Sequence, residues 1–118
     1  MSPLHRGVLA KPVNSGNEKT VREETDKHIA TLCPQQWKQA DEEIINRVKE
    51  LADKKSVSMA QVALAWLLSM PYVAAPIVGF SSIKQLQDSI GALKIKLSDE
   101  ECKHLEEPYL PKPILGFM

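Results

Sequence analysis

Residues 71 to 89 read Pro71-Tyr72-Val73-Ala74-Ala75-Pro76-Ile77-Val78-Gly79-Phe80-Ser81-Ser82-Ile83-Lys84-Gln85-Leu86-Gln87-Asp88-Ser89, an apolar run that ends in Gly-Phe-Ser-Ser and passes at once into a helical pattern. A strand that delivers a helix N-terminus in this way offers a place for a phosphate. The N–H groups of the first helical turn have no intrahelical acceptor, and the aligned peptide dipoles add partial positive charge there. Gly79 lets the main chain come close to such a group. The same residue types also serve plain turning and capping, which is the bland reading of Ser81, Ser82 and Gln85.

Working outward, Tyr72 to Val78 lacks polar alternation, the pattern of a short strand buried on both faces in a parallel sheet. Pro76 cannot donate to a ladder, so only part of the run is expected to pair. A parallel strand needs neighbours, and the chain offers at most two weak ones, near residues 1 to 4 and at Lys94-Ile95-Lys96-Leu97. Residues 1 to 9 read as a strand end with its loop. Residues 10 to 40 carry Pro12, Gly16 and Pro34, with Val21, Ile29 and Leu32 too sparse to define a face, and read as a long polar loop.

Helices dominate the rest. Between Asp41 and Lys55, Ile44, Ile45, Val48, Leu51 and Ala52 recur at helical intervals opposite Glu42, Glu43, Arg47, Lys49 and Glu50. Ser58-Met59-Ala60-Gln61 has the form of a capping box and opens a helix, Met59 to Met70, that is apolar nearly all round and expects cover on most sides. Pro71 ends it by excluding its predecessor from helical geometry. Ile83, Leu86, Ile90 and Leu93 share one face after a Ser82-x-x-Gln85 box. Ser98-x-x-Glu101 opens a last helix that stops before Pro108, and Leu97 and Cys102 are placed to close a hydrophobic staple across its start.

A chain of 118 residues is enough for one compact unit. Fifteen basic and fifteen acidic side chains cancel, so no long-range field draws it to nucleic acid or an anionic membrane. No stretch approaches the roughly 20 apolar residues of a membrane span, and the N-terminus lacks a signal pattern, so a soluble, cytoplasmic protein is expected. Cys33 and Cys102 lie far apart without metal or redox spacing and read as ordinary thiols. His5, His28 and His104 share no ligand spacing and read as surface or loop residues, and no metal site is expected. Gly79-Phe80-Ser81-Ser82-Ile83 has Ile where a nucleophile elbow needs its second glycine. Asp99-Glu100-Glu101 reads as first-turn dipole compensation, and Trp66 as core.

Three segments, Ser2-Pro3-Leu4-His5-Arg6-Gly7-Val8-Leu9, Ser58-Met59-Ala60-Gln61-Val62-Ala63-Leu64-Ala65-Trp66-Leu67-Leu68, and Pro76-Ile77-Val78-Gly79-Phe80-Ser81-Ser82 through Gly91-Ala92-Leu93, together resemble the aldo-keto reductases, most of all the branch of aryl-alcohol dehydrogenases and potassium-channel β-subunits. The resemblance runs from Ser2 to about Gly116 in one order, and it covers only the family's last third. It implies the C-terminal fragment of a (β/α)8 TIM barrel, an α/β fold that typically needs about 250 residues. The expected product is a single partial domain over 1 to 118, predominantly helical with one to three short strands. Residues 10 to 40 would then be an active-site flap or, as favoured without the rest of a barrel, a tether.

The resemblance also implies a cofactor, NADP(H). Ser2, Leu4 and Arg6, with Leu9, would lie along its pyrophosphate, and Gly79, Ser81, Gln85, Asp88 and Ser89 would meet its adenosine end. Three positions depart from the family pattern. Met1 replaces an aromatic residue that stacks on the nicotinamide, Ser89 stands where asparagine meets adenine, and Gln85 is neutral where some relatives have arginine, leaving Lys84 as the nearby cation. The tyrosine, lysine, aspartate and histidine that reduce a carbonyl in this family belong to earlier barrel strands. Tyr72 and Tyr109 lie in no matching motif and read as packing residues. The expectation is a truncated or remnant oxidoreductase, inactive alone, with self-association or a missing barrel half as its associations. A small helical interaction module, docking through the apolar helix 59 to 70, is the competing class.

Overall fold

A computed structural model describes residues 2 to 13 and 38 to 112. Met1, Cys33, His28, Trp37 and residues 14 to 37 of the expected loop 10 to 40 lie outside the described residues. Among the described residues four α-helices follow one another: α1 (Lys38–Lys55), α2 (Met59–Ser69), α3 (Ile83–Gly91) and α4 (Asp99–Glu106). Short 3-10 segments cover His5–Ala10 and Ala92–Lys94.

The periodicity of α1 is realised as expected, although the helix begins at Lys38, three residues before Asp41. Ile45, Val48, Leu51 and Ala52 are its buried stripe. They meet Met59 and Val62 of α2 and Leu105 of α4 in one cluster, with Val8, Leu9, Ile44, Val57, Trp66 and Leu97 packed at its margin. Helix α2 is the centre of the unit. It touches α1, α3, both 3-10 segments, and is buried at Met59, Val62, Ala63, Leu64 and Ala65. The all-round apolarity of its sequence is thus spent on several neighbours at once. Trp66 is half-buried rather than core, because its indole N–H reaches out to Glu106 Oε1 at 2.8 Å.

Local chemistry fixes the helix ends. Ser58 and Ser98 form complete capping boxes with Gln61 and Glu101. Met70, before Pro71, is extended (φ −77°, ψ 123°), so α2 stops where the proline requires. Helix α1 ends in a Schellman arrangement: Val57 N–H donates to Ala52 C=O (3.0 Å) and Ser56 N–H to Asp53 C=O (3.2 Å). Ser56 takes the left-handed conformation there (φ 55°), a position glycine would occupy with less strain. Arg47 fastens α1 to the end of α4, donating to Glu43 (2.8 Å), the His104 carbonyl (2.7 Å) and Glu107 (3.0 Å). Those carboxylates hold the guanidinium pKa above its ordinary value. Lys112 Nζ reaches both carboxylate oxygens of Asp41 at 2.5 and 2.6 Å.

Glu101 couples this framework to pH. Its carboxyl pKa is lowered from the ordinary 4.5, first by the N–H of Ser98 and then by the Lys55 ammonium, which lies 2.9 Å away. A folded pKa below the unfolded one means that this contribution is whole above the unfolded value and is lost as pH falls through the folded one. Glu101→Gln keeps an acceptor for Ser98 and drops the ion pair. Stability of the variant, measured by urea midpoints between about pH 5 and pH 3, is expected to fall less steeply than that of the parent. Parallel pH curves would show that Glu101 has no such role.

The expected strands do not form: among the described residues there is none. Tyr72 to Val78 is a turn and a bend followed by chain without regular secondary structure, and no described residue bonds to the backbone of 74 to 80. Pro76 supplies no N–H, and the other weak candidates are unavailable for pairing. The strand end expected in residues 1 to 9 is instead a pair of 3-10 turns, with left-handed φ at His5 (48°), Arg6 (56°) and Gly7 (95°). Lys94 ends a 3-10 turn, and Ile95, though extended, turns its N–H back to the Ala92 carbonyl (3.1 Å) instead of to a neighbouring strand. A strand is made by its neighbours, and this chain does not bring them. For the same reason the face shared by Ile83, Leu86, Ile90 and Leu93 is not buried: all but the half-buried Leu86 are exposed. Tyr72 and Tyr109 are exposed as well, and do not pack as expected.

Candidate functional site

The cofactor-binding residues expected from the sequence fall on two elements that both pack on α2. Ser2, Leu4 and Arg6 belong to the N-terminal turns. The Ser2 carbonyl accepts from His5 N–H (2.9 Å) and the Leu4 carbonyl from Gly7 (2.9 Å) and Leu9 (3.3 Å). Ser2 and Arg6 both carry left-handed backbone.

Gly79, Ser81 and Gln85 gather at the start of α3, and Ser89 lies one turn further along it. The Ser82 hydroxyl caps the helix by accepting from Gln85 N–H (3.3 Å). The expected box is only half built, because the Gln85 side chain turns to Ser81, accepting from its N–H (2.8 Å) and its hydroxyl (3.1 Å). Ser89 Oγ donates to the Gln85 carbonyl (2.9 Å). No described group accepts from the N–H of Ile83 or Lys84, and both residues are exposed. The first turn of α3 therefore keeps two donors for an outside anion. Gly79 is exposed, and a Cβ built on it would meet nothing within 4 Å, so access there is open.

Asp88 does something the sequence did not signal. Its carboxylate accepts from the hydroxyl of Ser58 (2.7 Å), and its carbonyl accepts from the Gln61 side chain (2.9 Å). Both partners belong to the capping box of α2, so the box that starts one helix also holds the next. Gly91 completes the contact: a Cβ there would lie 2.3 Å from the Gln61 amide nitrogen. Ser58 and Gln61 read in sequence as caps alone. Their second role joins residues about thirty apart, and no local pattern marks it.

Among the described residues no group of three His, Cys, Asp or Glu side chains converges to hold a metal ion. His104 Nε2 stands 3.6 Å from Glu50 at the edge of a groove of about 280 Å³ between α1 and α4. Tyr72 donates its hydroxyl to Met70 sulfur (3.2 Å). No helix of the described residues is long and apolar enough to cross a membrane.

Comparison with known proteins matches the aldo/keto reductase family model to residues 1–109. Versiconal hemiacetal acetate reductase of Aspergillus parasiticus is 47% identical over 113 residues, covering 96% of this chain and 32% of that protein. A Schizosaccharomyces pombe protein named "Putative aryl-alcohol dehydrogenase" is 44% identical over 115 residues, covering 98% of this chain and 31% of the relative. Aldo-keto reductase AMT2 of Alternaria alternata is 35% identical over 114 residues, 97% of this chain and 29% of its own. The chain spans about a third of the length of the curated relatives it matches. With 109 of its 118 residues matched, the chain belongs to the aldo-keto reductase family.

Proposed function

We propose that this chain is the C-terminal portion of an aryl-alcohol dehydrogenase-like oxidoreductase and supplies the adenosine and pyrophosphate side of its NADP(H) site. The observation that carries the reading is the open start of α3, where the N–H groups of Ile83 and Lys84 have no described acceptor beside an unobstructed Gly79. Those donors and the Lys84 ammonium suit a phosphate. Gln85 would turn its amide from Ser81 to the ribose side, and Ser89 would sit toward the base. Ser2, Leu4 and Arg6 would flank the pyrophosphate. Asp88 would act mainly by holding α3 on α2, since contact with a nucleoside would compete with its bond to Ser58.

When bound, the dinucleotide supplies the hydride. The groups that protonate a carbonyl oxygen lie, on this reading, in sequence outside the chain, so the chain alone gives no reductase turnover. The test is a titration with NADPH to millimolar concentration, read by tryptophan fluorescence and by thermal unfolding. A saturable response is expected, with a gain of about 1.4 kcal/mol in stability at ten times the dissociation constant, and it should weaken in Lys84→Ala and Gln85→Ala. No response at millimolar NADPH would remove the cofactor role and favour a helical interaction module. Reduction of an aromatic aldehyde by the isolated chain would overturn the assignment of the chemistry elsewhere.

A further inference from the structure

The two complete capping boxes are not chemically alike, and the difference reaches beyond capping. In the box of α4 the partner of Ser98 is Glu101, a pure acceptor, which takes the Ser98 N–H (2.9 Å) and faces the Lys55 ammonium (2.9 Å). In the box of α2 the partner is Gln61, whose amide does two things at once. Its oxygen accepts from the Ser58 N–H (3.2 Å), and its nitrogen donates to the Asp88 carbonyl of α3 (2.9 Å). Turning the amide over would set oxygen against carbonyl and NH2 against N–H, so one orientation alone satisfies both neighbours. A glutamate would close the same box and, ionised, could not donate to Asp88.

Little else fixes the direction of α3. The helix has no buried residue, and its outer side is bare, with Ile83 74% and Ile90 51% exposed. It rests on α2 and on the 3-10 segment that follows it. The bonds that tie it to the start of α2 are polar and half-buried, from Gln61 to the Asp88 carbonyl and from Ser58 to the Asp88 carboxylate. Gly91 allows the close approach. Its backbone is ordinary right-handed helix (φ −56°, ψ −29°), which any residue adopts, so glycine is needed there for space: a Cβ would collide with the Gln61 amide nitrogen.

We propose that Gln61 is a positioning residue for the nucleotide site and acts on it through α3. Asp88 lies about 7.5 Å along the helix axis from Ile83. A hydrogen-bonded helix carries a tilt at one end to the other, so the hold on Asp88 sets where the open N–H groups of Ile83 and Lys84 point. Gly91 serves the same contact from the opposite side by leaving room for the Gln61 amide. The inference rests on the reading of the α3 start as the adenosine end of an NADP(H) site, and it adds to that site a residue of α2 that lies outside the set expected to touch the dinucleotide.

The experiment measures NADPH dissociation constants for the 118-residue chain and for Gln61→Glu, Gly91→Ala and Ser98→Ala, at a temperature where circular dichroism finds each of them folded. The amide resonances of Ile83 and Lys84 are recorded beside them without ligand. Gln61→Glu keeps the acceptor of the capping box and removes the donor. Gly91→Ala drives the amide away, although alanine ordinarily strengthens a helix relative to glycine. Both variants are expected to raise Kd about tenfold and to displace the two resonances while those of α4 stay in place. Ser98→Ala, which uncaps α4, should bind as the parent does. An affinity change in fully folded protein, together with the displaced resonances, separates positioning from a mere loss of stability. The two variants break one contact from opposite sides, so either alone decides should the other not fold. Variants that bind NADPH like the parent overturn the positioning role and leave the cofactor reading standing. A parent chain that does not bind NADPH removes the cofactor reading and this role with it.

Discussion

Leu64→Ala is expected to lower the stability of the chain by about 3 kcal/mol, within the range that buried leucines show when a cavity is left behind. Leu64 is 2% exposed on α2, and α2 is the element against which α1, α3 and both 3-10 segments rest. A helix enclosed on several sides cannot relax toward the gap without pulling away from another neighbour, so the site has little freedom to collapse. Small domains have only about 5–15 kcal/mol in total, and a loss of this size would lower the melting temperature by roughly 10 °C or more. Urea unfolding followed by circular dichroism measures it. The midpoint should fall while the slope stays as in the parent, since the same surface is exposed on unfolding. A change below about 1 kcal/mol would mean that α2 is not the centre of the packing.

Ser58→Ala should have the next largest effect, about 2 kcal/mol. One hydroxyl does two jobs: it accepts from Gln61 N–H to cap α2 and donates to the Asp88 carboxylate to hold α3. A cap is worth about 1 kcal/mol, and a hydrogen bond to a charged group about 1.5–3 kcal/mol before the cost of partial exposure is taken off. Ser98→Ala is the natural control, because its hydroxyl caps α4 and does nothing else. The difference between the two losses isolates the bond to Asp88. A double-mutant cycle with Asp88→Ala checks the assignment, with a coupling of about 1 kcal/mol expected and additivity fatal to it.

The helices were legible because their determinants are local. Ile45, Val48, Leu51 and Ala52 declare a buried stripe by spacing alone, Ser58 and Ser98 declare their starts, and Pro71 declares a stop. Tyr72 to Val78 reads as a short buried strand and forms none, since the choice between strand and coil is made by partners far away in sequence. The exposed side of α3 follows from the same shortage. In the candidate site, the Ser-rich start of α3 could be read directly, whereas the turn of Gln85 toward Ser81 and the bond from Ser58 to Asp88 could not. The first depends on a choice between two adjacent donors, and the second on a tertiary contact. The left-handed run at His5, Arg6 and Gly7 had one hint, the glycine.

The fastening of α4 bears on how the unit comes apart. Eight residues are too few for a helix to persist in water by its own propensity. Arg47 grips the last turn, Lys55 pairs with the first, and Lys112 returns to Asp41 at the beginning of α1. Helix α4 is therefore cross-braced to α1 near both ends, and it has no inexpensive way to fray alone. Melting α4 requires giving up the grip on α1, so the two should lose their structure in a single concerted step.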